Sequence, residues 1–231
     1  MVIVITGGTR GIGRGLAGQF TAMGHTVVAF GSATCDVSDR DQVQAAWDAA
    51  VKEHGQVDVW INNAGITHDR LPLWELDRLQ AERVVAVNLL GVINGCAVAL
   101  AGMAAQGHGH VWNMEGLGSD GRAVAGISVY GATKSALTTL TKALAKEVPA
   151  GVSVGLLSPG MVVTDLLVRD LTPQSRKIFD ILADRVETVT PWLAVQAVER
   201  RTNGAHVRWL TRRKVMARFA SAPFTKRKVL P

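Results

Sequence analysis

The 231 residues are 48% hydrophobic and 19% charged, enough apolar material for one sizeable core and too much for a disordered chain. Two cysteines exclude a disulfide scaffold. With an apolar run beginning at Met1, they predict a cytoplasmic chain with no signal or transit segment. The net charge of +6 is uneven: ten of the 25 Lys and Arg fall between Arg200 and Pro231, where there is no Asp or Glu. The rest of the chain holds 15 basic against 19 acidic residues, so the C-terminal stretch is built to meet something anionic.

Val2–Ile5 is the first of five short apolar runs, followed by Val27–Phe30, Val57–Ile61, Val111–Met114 and Val152–Leu157. Such runs read as strands buried on both faces of a parallel sheet. After the first comes Thr6-Gly-Gly-Thr-Arg-Gly-Ile-Gly13, then Ile12, Leu16 and Phe20 at helical spacing. Strand, glycine loop and helix in that order aim free N–H groups and the positive end of a helix at a pyrophosphate. Without that context the glycines would merely turn the chain.

At most five residues separate Phe30 from Asp36, too few for a parallel crossover. The spacing predicts a second helix, between strands 2 and 3, that is missing or very short, and a third strand that is minimal or lost. Val43, Trp47 and Val51 then mark a helix, with Ser38 as its N-cap and Asp41 three residues on. Val84–Met114 carries no charged residue and is long enough to cross a membrane. Asn88, Gly91, Asn94, Gly95 and Gly102 interrupt it, which favours a helix buried between the sheet and a partner subunit.

Thr172-Pro173 and Thr190-Pro191 each pair a cap with a proline at the first helical position, predicting helices Gln174–Asp184 and Trp192–Arg201. Residues 161–190 are thus helical without a core strand, as in a lid over a pocket. Val207–Leu210 is expected as a last strand, and Arg212–Ala220 as a basic, partly amphipathic stretch. The fold class is α/β: one doubly wound, Rossmann-type parallel sheet with helices on both faces, a single domain over 1–231 with a basic tail at 211–231.

The glycine loop has the spacing TGxxxGxG. Behind it follow Asp36-Val37, Asn62-Asn-Ala-Gly65, Asn88, Tyr130-Gly-Ala-Thr-Lys134, and Pro159-Gly160 with Thr164. Singly each has a plain reading: a turn for the NNAG run, a half-buried core residue for Tyr130, a helix cap for Asn88. Together and in order they resemble the short-chain dehydrogenase/reductase family over nearly the whole chain. The resemblance implies an NAD(P)-dependent reductase acting on a small-molecule carbonyl substrate. It gives the cofactor to Gly7, Thr9, Arg10, Gly11, Ile12 and Gly13 of the loop, to Ser32, Asp36 and Val37, and to Asn63, Ala64 and Gly65. Tyr130, Lys134, Pro159, Gly160 and Thr164 complete that set, and no metal is called for.

Tyr130 and Lys134 stand at i and i+4, on one helix face. A phenol with a pKa of about 10 is a poor acid near neutrality, and an adjacent ammonium is expected to lower it. Tyr130 would then protonate the carbonyl oxygen. By resemblance Lys134 also holds the nicotinamide ribose and Asn88 organises a water in the proton relay. The family's polarising serine usually stands thirteen residues before the tyrosine, where this chain has Leu117, and Glu115-Gly116 replaces the usual serine pair. Ser119, eleven before, is the candidate; a loop serine beside the pocket is its plainer reading, and Ser128 a third choice. No carboxylate stands at Gly31-Ser32 to repel a ribose phosphate, and Arg10 can bind one, which favours NADPH over NADH. Otherwise Arg10 faces solvent and either cofactor fits.

The run Asn113-Met-Glu-Gly-Leu-Gly-Ser-Asp-Gly-Arg122 resembles chlorophyll(ide) b reductases, as do Leu157–Leu167 and Val207–Thr211. Those enzymes reduce a formyl group to hydroxymethyl with NADPH. Two alternatives stand beside this: reduction of an unrelated bulky ketone or aldehyde, and a non-catalytic dinucleotide sensor whose tail contacts a membrane or nucleic acid. By resemblance the 84–105 and 130–148 helices pack against their own copies in a homodimer or homotetramer. For the tail, docking on the acidic body and peripheral attachment to an anionic membrane both fit the charge. No nucleic-acid motif accompanies it.

Overall fold

The computed structural model describes residues 1–168, 173–225 and 227–230. Five of the six main strands grow from the apolar runs: β1 (Val2–Thr6), β2 (Thr26–Phe30), β3 (Val59–Asn62), β4 (Gly109–Met114) and β5 (Val152–Ser158). They form a sheet in the order β2-β1-β3-β4-β5-β8, all neighbours parallel, with β8 (His206–Arg208) at the far edge. Alternation along the strands decides which layer each side chain enters. Ile3, Ile5, Val59, Ile61 and Trp112 pack on one face with Leu16 and Phe20 of α1 (Gly11–Ala22). Val4, Trp60, Val111 and Val154 point the other way, towards Val43 and Trp47. Each large side chain removed from water in this way contributes about 1.5–3 kcal/mol.

The connection after β2 overturns an expectation. A full helix, α2 (Arg40–His54), joins β2 to β3, so the crossover helix expected to be missing or very short is present. What the chain omits is the strand at Asp36-Val37. Residues 31–39 fold into two tight turns, with Cys35 N–H donating to Gly31 O (2.9 Å) and Ser38 N–H and hydroxyl both donating to Asp36 Oδ1 (3.0 and 2.7 Å). The periodic helix at Val43–Val51 therefore serves as the β2–β3 crossover. Its N-cap is Asp39, not Ser38: Asp39 accepts from the N–H groups of Asp41 and Gln42.

After a 3-10 turn (Leu73–Glu75), α3 (Arg78–Val85), a π-helical turn (Ala86–Leu90) and α4 (Gly91–Gln106) run on as one helix. Its length and composition would allow a membrane crossing, yet 56% of its most apolar window is buried inside the fold. Gly95 and Gly102 are the reason it lies so close: side chains there would strike Asn62 and Trp47. α5 (Ser128–Glu147) follows β4.

Beyond β5 come β6 (Val162–Val163), α6 (Asp165–Val168), α7 (Pro173–Leu182) and β7 (Asp184–Arg185), the two strands pairing with each other apart from the main sheet. The 161–190 segment is thus not wholly helical. Next is α8 (Val186–Glu199), which begins before the predicted Thr190-Pro191 cap and carries Pro191 inside it; the Thr190 hydroxyl bonds back to Val186 O at 2.9 Å. The predicted cap at Thr172 lies outside the described residues. Thr211 caps the last helix, α9 (Arg212–Ser221), through Lys214 N–H.

Candidate active site

At the carboxyl end of β1 the glycine loop is fixed by its backbone. Gly7 and Gly11 adopt φ of 63° and 53°, which side-chain-bearing residues avoid. A Cβ on Gly13 would sit 2.3 Å from Gly7 O and 2.5 Å from Asn63 Nδ2. Asn63 donates through Nδ2 to the carbonyls of Thr6 and Gly7, both at 3.0 Å, and the Thr6 hydroxyl accepts from the N–H groups of Asn63 and Ala64. No side chain caps α1: Arg10, at its N-cap position, is exposed and its guanidinium carries no acceptor. A backbone cradle under an uncapped helix N-terminus fits a dinucleotide pyrophosphate. Thr164 lies beside this end, its methyl 3.4 Å from the β-position of Gly11. Ile12 is half-buried, Thr9 and Ser32 are exposed, Pro159 is buried, and Gly160 takes φ 74°.

Two of the residues expected at the cofactor also make contacts within the protein. The Asp36 carboxylate is held by Ser38 and lies 3.5 Å from Arg83, which keeps it below its ordinary pKa, the Ser38 hydrogen bonds being the main cause. Val37 is buried against Gly91 and gives its carbonyl to Asn94.

On α5, Tyr130, Thr133, Lys134, Leu137 and Thr141 form the buried stripe, so the i and i+4 pair shares a face as the spacing predicts. Lys134 Nζ stands 6.0 Å from the Tyr130 ring centre and donates to Met114 O at 3.2 Å. Facing them is Gly116: a Cβ there would come within 2.4 Å of the Tyr130 hydroxyl and 3.2 Å of Lys134 Cε. The tyrosine fills the space a serine side chain would need. Ser119 bends back to the same glycine, its Oγ accepting from Gly116 N–H at 3.0 Å, which leaves its own hydrogen available to donate. Thr138 holds the Ser119 carbonyl at 2.9 Å. Ser119, Tyr130 and Lys134 therefore meet around Gly116.

The electrostatics depart from the expectation that Lys134 lowers the phenol's pKa. Burial pushes Tyr130 up to about 12 and Lys134 down to about 8, the latter opposed by the charge of Glu115. Desolvation outweighs the ammonium because Lys134 spends a hydrogen bond on a backbone carbonyl rather than on the phenol. Asn88 is brought to the same corner, since Gly65 has both its Oδ1 and Lys134 Nζ within 4 Å of its β-position. Its amide is closed on Ile66, accepting from N–H and donating to O, both at 2.9 Å. The side chain thus straps the NNAG loop to the π-helical turn.

Two residues escaped the sequence reading. His68 is buried; its Nδ1 faces Asp69 O at 2.7 Å and must carry the hydrogen, so Nε2 accepts from Tyr130 N–H at 3.4 Å. Glu115 is buried beside Lys134 and reaches His206 Nε2 at 2.7 Å. Burial raises its pKa, but hydrogen bonds from His206 and Ser158 with the charges of His206 and Arg208 hold it below the ordinary value. Neither contact has a local signal: the partners lie 62 and 91 residues apart.

What this fold and this corner define together is an oxidoreductase working on a bound nicotinamide dinucleotide. Residues 30–174 match the family model of short chain dehydrogenases, and the chain belongs to that family. Chlorophyll(ide) b reductase NOL, chloroplastic, of Oryza sativa subsp. japonica is 34% identical over 253 residues, covering 95% of this chain and 74% of its own length. The Arabidopsis thaliana protein of the same name is 36% identical over 220 residues, covering 83% of this chain; the chain spans 63% of that relative. Among solved structures, 3-ketoacyl-(acyl-carrier-protein) reductase from Brucella melitensis complexed with NADH has a TM-score of 0.82 at 25% identity, covering 92% of this chain and 98% of its own.

Proposed function

We propose that the protein reduces the formyl group of chlorophyll(ide) b, or of a similarly bulky aldehyde, to hydroxymethyl with NADPH. The observation that carries the reaction type is the Tyr130 hydroxyl closed against Gly116, with Lys134 and Ser119 on the same corner. The substrate rests on the likeness to proteins named chlorophyll(ide) b reductase over 95% of the chain. When bound, the reduced nicotinamide supplies the hydride. Ser119 donates its free hydroxyl hydrogen to the substrate oxygen, and Tyr130 gives that oxygen its proton as negative charge develops there. A phenol held at about 12 is fully protonated at neutral pH, the state a donor needs. Lys134, charged below about pH 8, stabilises the phenolate that remains.

The glycine cradle and α1 would hold the pyrophosphate, and the exposed pair Arg10 and Ser32 supports NADPH over NADH. A homodimer or homotetramer is supported by an apolar hollow of about 290 Å³ between α4 and α5, lined by Ile93, Leu100, Leu140 and Leu144. Peripheral membrane contact is supported by the outward face of α9, where Arg212, Arg213, Met216 and Phe219 are exposed.

The test is NADPH oxidation with chlorophyllide b beside a panel of other aldehydes, pigments resolved by chromatography. Conversion of the formyl to the hydroxymethyl pigment is expected. Turnover of other bulky aldehydes with chlorophyllide b untouched would replace the substrate. Cofactor binding without turnover of any carbonyl would make the protein a dinucleotide sensor.

A further inference from the structure

The basic C-terminal segment does not lie free. Two of its cations converge on one buried carboxylate, Asp184 of β7, which is 4% exposed. Arg218 Nη2 donates to both Asp184 oxygens at 2.9 and 2.8 Å, Arg227 Nη2 donates to Oδ1 at 2.7 Å, and Trp209 Nε1 donates to Oδ2 at 2.7 Å. The same guanidinium groups also take the carbonyls that end α7: Arg218 Nη1 that of Leu182, Arg227 Nη1 and Nη2 those of Ile181 and Ala183. Last-turn carbonyls are the orphaned, negative end of a helix, where a cation binds best. The tail therefore caps α7 from a distance of 36 to 46 residues along the chain.

α9 itself has no buried residue; Lys214 stands over the Trp209 ring, which meets the Trp192 ring at 5.4 Å with the planes tilted by 59°. The place where it holds is telling. β6 leaves the carboxyl end of β5, Thr164 reaches Gly11 of the nucleotide loop, and Asp184 N–H returns to Met161 O at 2.9 Å. Ligands of an open parallel sheet bind at that carboxyl end. The carboxylate stays ionised: burial raises its pKa, but the Trp209 and Arg218 hydrogen bonds and both arginine charges hold it below the ordinary value.

We propose that Asp184 is a positioning residue for bulky substrates: by clamping Arg218 and Arg227 it fixes α7 across the open end of the site, so the C-terminal segment shapes the wall that a large aldehyde must fit. The inference rests on the carbonyl-reductase reading of the site. Asp184 touches no reacting atom; it acts through α7.

The experiment compares the full-length protein with Asp184→Asn by hydrogen exchange over α7, NADPH binding, and steady-state reduction of chlorophyllide b and of benzaldehyde. Losing one partner of a buried ion pair should speed exchange in α7 by at least about tenfold. KM for chlorophyllide b should rise, with NADPH affinity and the kcat for benzaldehyde unchanged, and Asp184→Glu should restore part of the loss. Unchanged exchange in α7, or equal KM shifts for both aldehydes, would overturn the proposal. Should Asp184→Asn not fold, Arg227→Gln, which leaves Arg218 and Trp209 on the carboxylate, should loosen α7 by a smaller factor; no loosening overturns it. If the wild type reduces neither aldehyde, the carbonyl-reductase reading fails while hydrogen exchange still decides whether the clamp exists.

Discussion

The two ends of the site are built from different materials. The nucleotide end is mostly backbone: glycines at positive φ, Asn63 bridging two carbonyls, Thr6 tying two N–H groups, with Arg10 the cation at the start of α1. The substrate end is charge: Lys134 against Glu115, Glu115 against His206, Asp184 against two arginines. The first is intolerant of added carbon at Gly7 and Gly13. The second accepts changes of shape but answers to protonation.

The sharpest break between them is Tyr130→Phe. Removing the proton donor should lower turnover by about 10²–10⁴-fold, while NADPH affinity stays within twofold or so. Kinetics and fluorescence titration of the same preparation check both halves, and a variant with near wild-type kcat ends the assignment. Ser119→Ala follows, with an expected loss of about 10²–10³-fold in the hydride-transfer rate if its hydroxyl meets the developing oxyanion. Single-turnover kinetics read this directly; a fast variant would pass the polarising role to the Gly116 backbone.

How far the sequence carried follows the same division. The glycine cradle, the five apolar strands and the Tyr130–Lys134 pair are encoded in neighbouring residues, where periodicity and motif spacing act, and they stand where the spacing puts them. The residues around them do not. His68 meets Tyr130, Glu115 meets His206 and Asp184 meets Arg218 across 62, 91 and 34 residues, and no local pattern announces such a meeting. The connection after β2 departs from its spacing for a related reason. A strand at Asp36 would leave no room for a crossover, whereas two turns carry the chain past it and free the next helix to make one.

A third variant probes the backbone end alone. Gly13→Ala adds one methyl where Gly7 O already stands, and overpacking of this kind costs about 1–3 kcal/mol, or about 5–150-fold in cofactor affinity. Isothermal titration with NADPH measures it, and unchanged affinity would mean the loop yields more than its hydrogen bonds suggest. The mildest test is pH. Lys134 is held near 8 by burial, so its charge is present below that value and lost above it. The kcat of reduction should fall about tenfold per unit on the alkaline side, while binding of ADP, which reaches only the cradle, stays flat. A flat kcat profile to about pH 10 would show that the ammonium keeps its proton.

The turns at 31–39 also change what β2 is. Among the described residues no strand lies beyond β2, so it forms the margin of the sheet, and one row of its backbone N–H and C=O groups has no neighbouring strand there. Such a margin invites foreign strands to add themselves. Here it is only five residues long, begins at an exposed Thr26 and is closed by the Gly31 turn, whose backbone Thr34 holds from both sides. A visiting strand would find few bonds to make before the chain turns away, so the sheet ends in a border that resists aggregation without a covering strand.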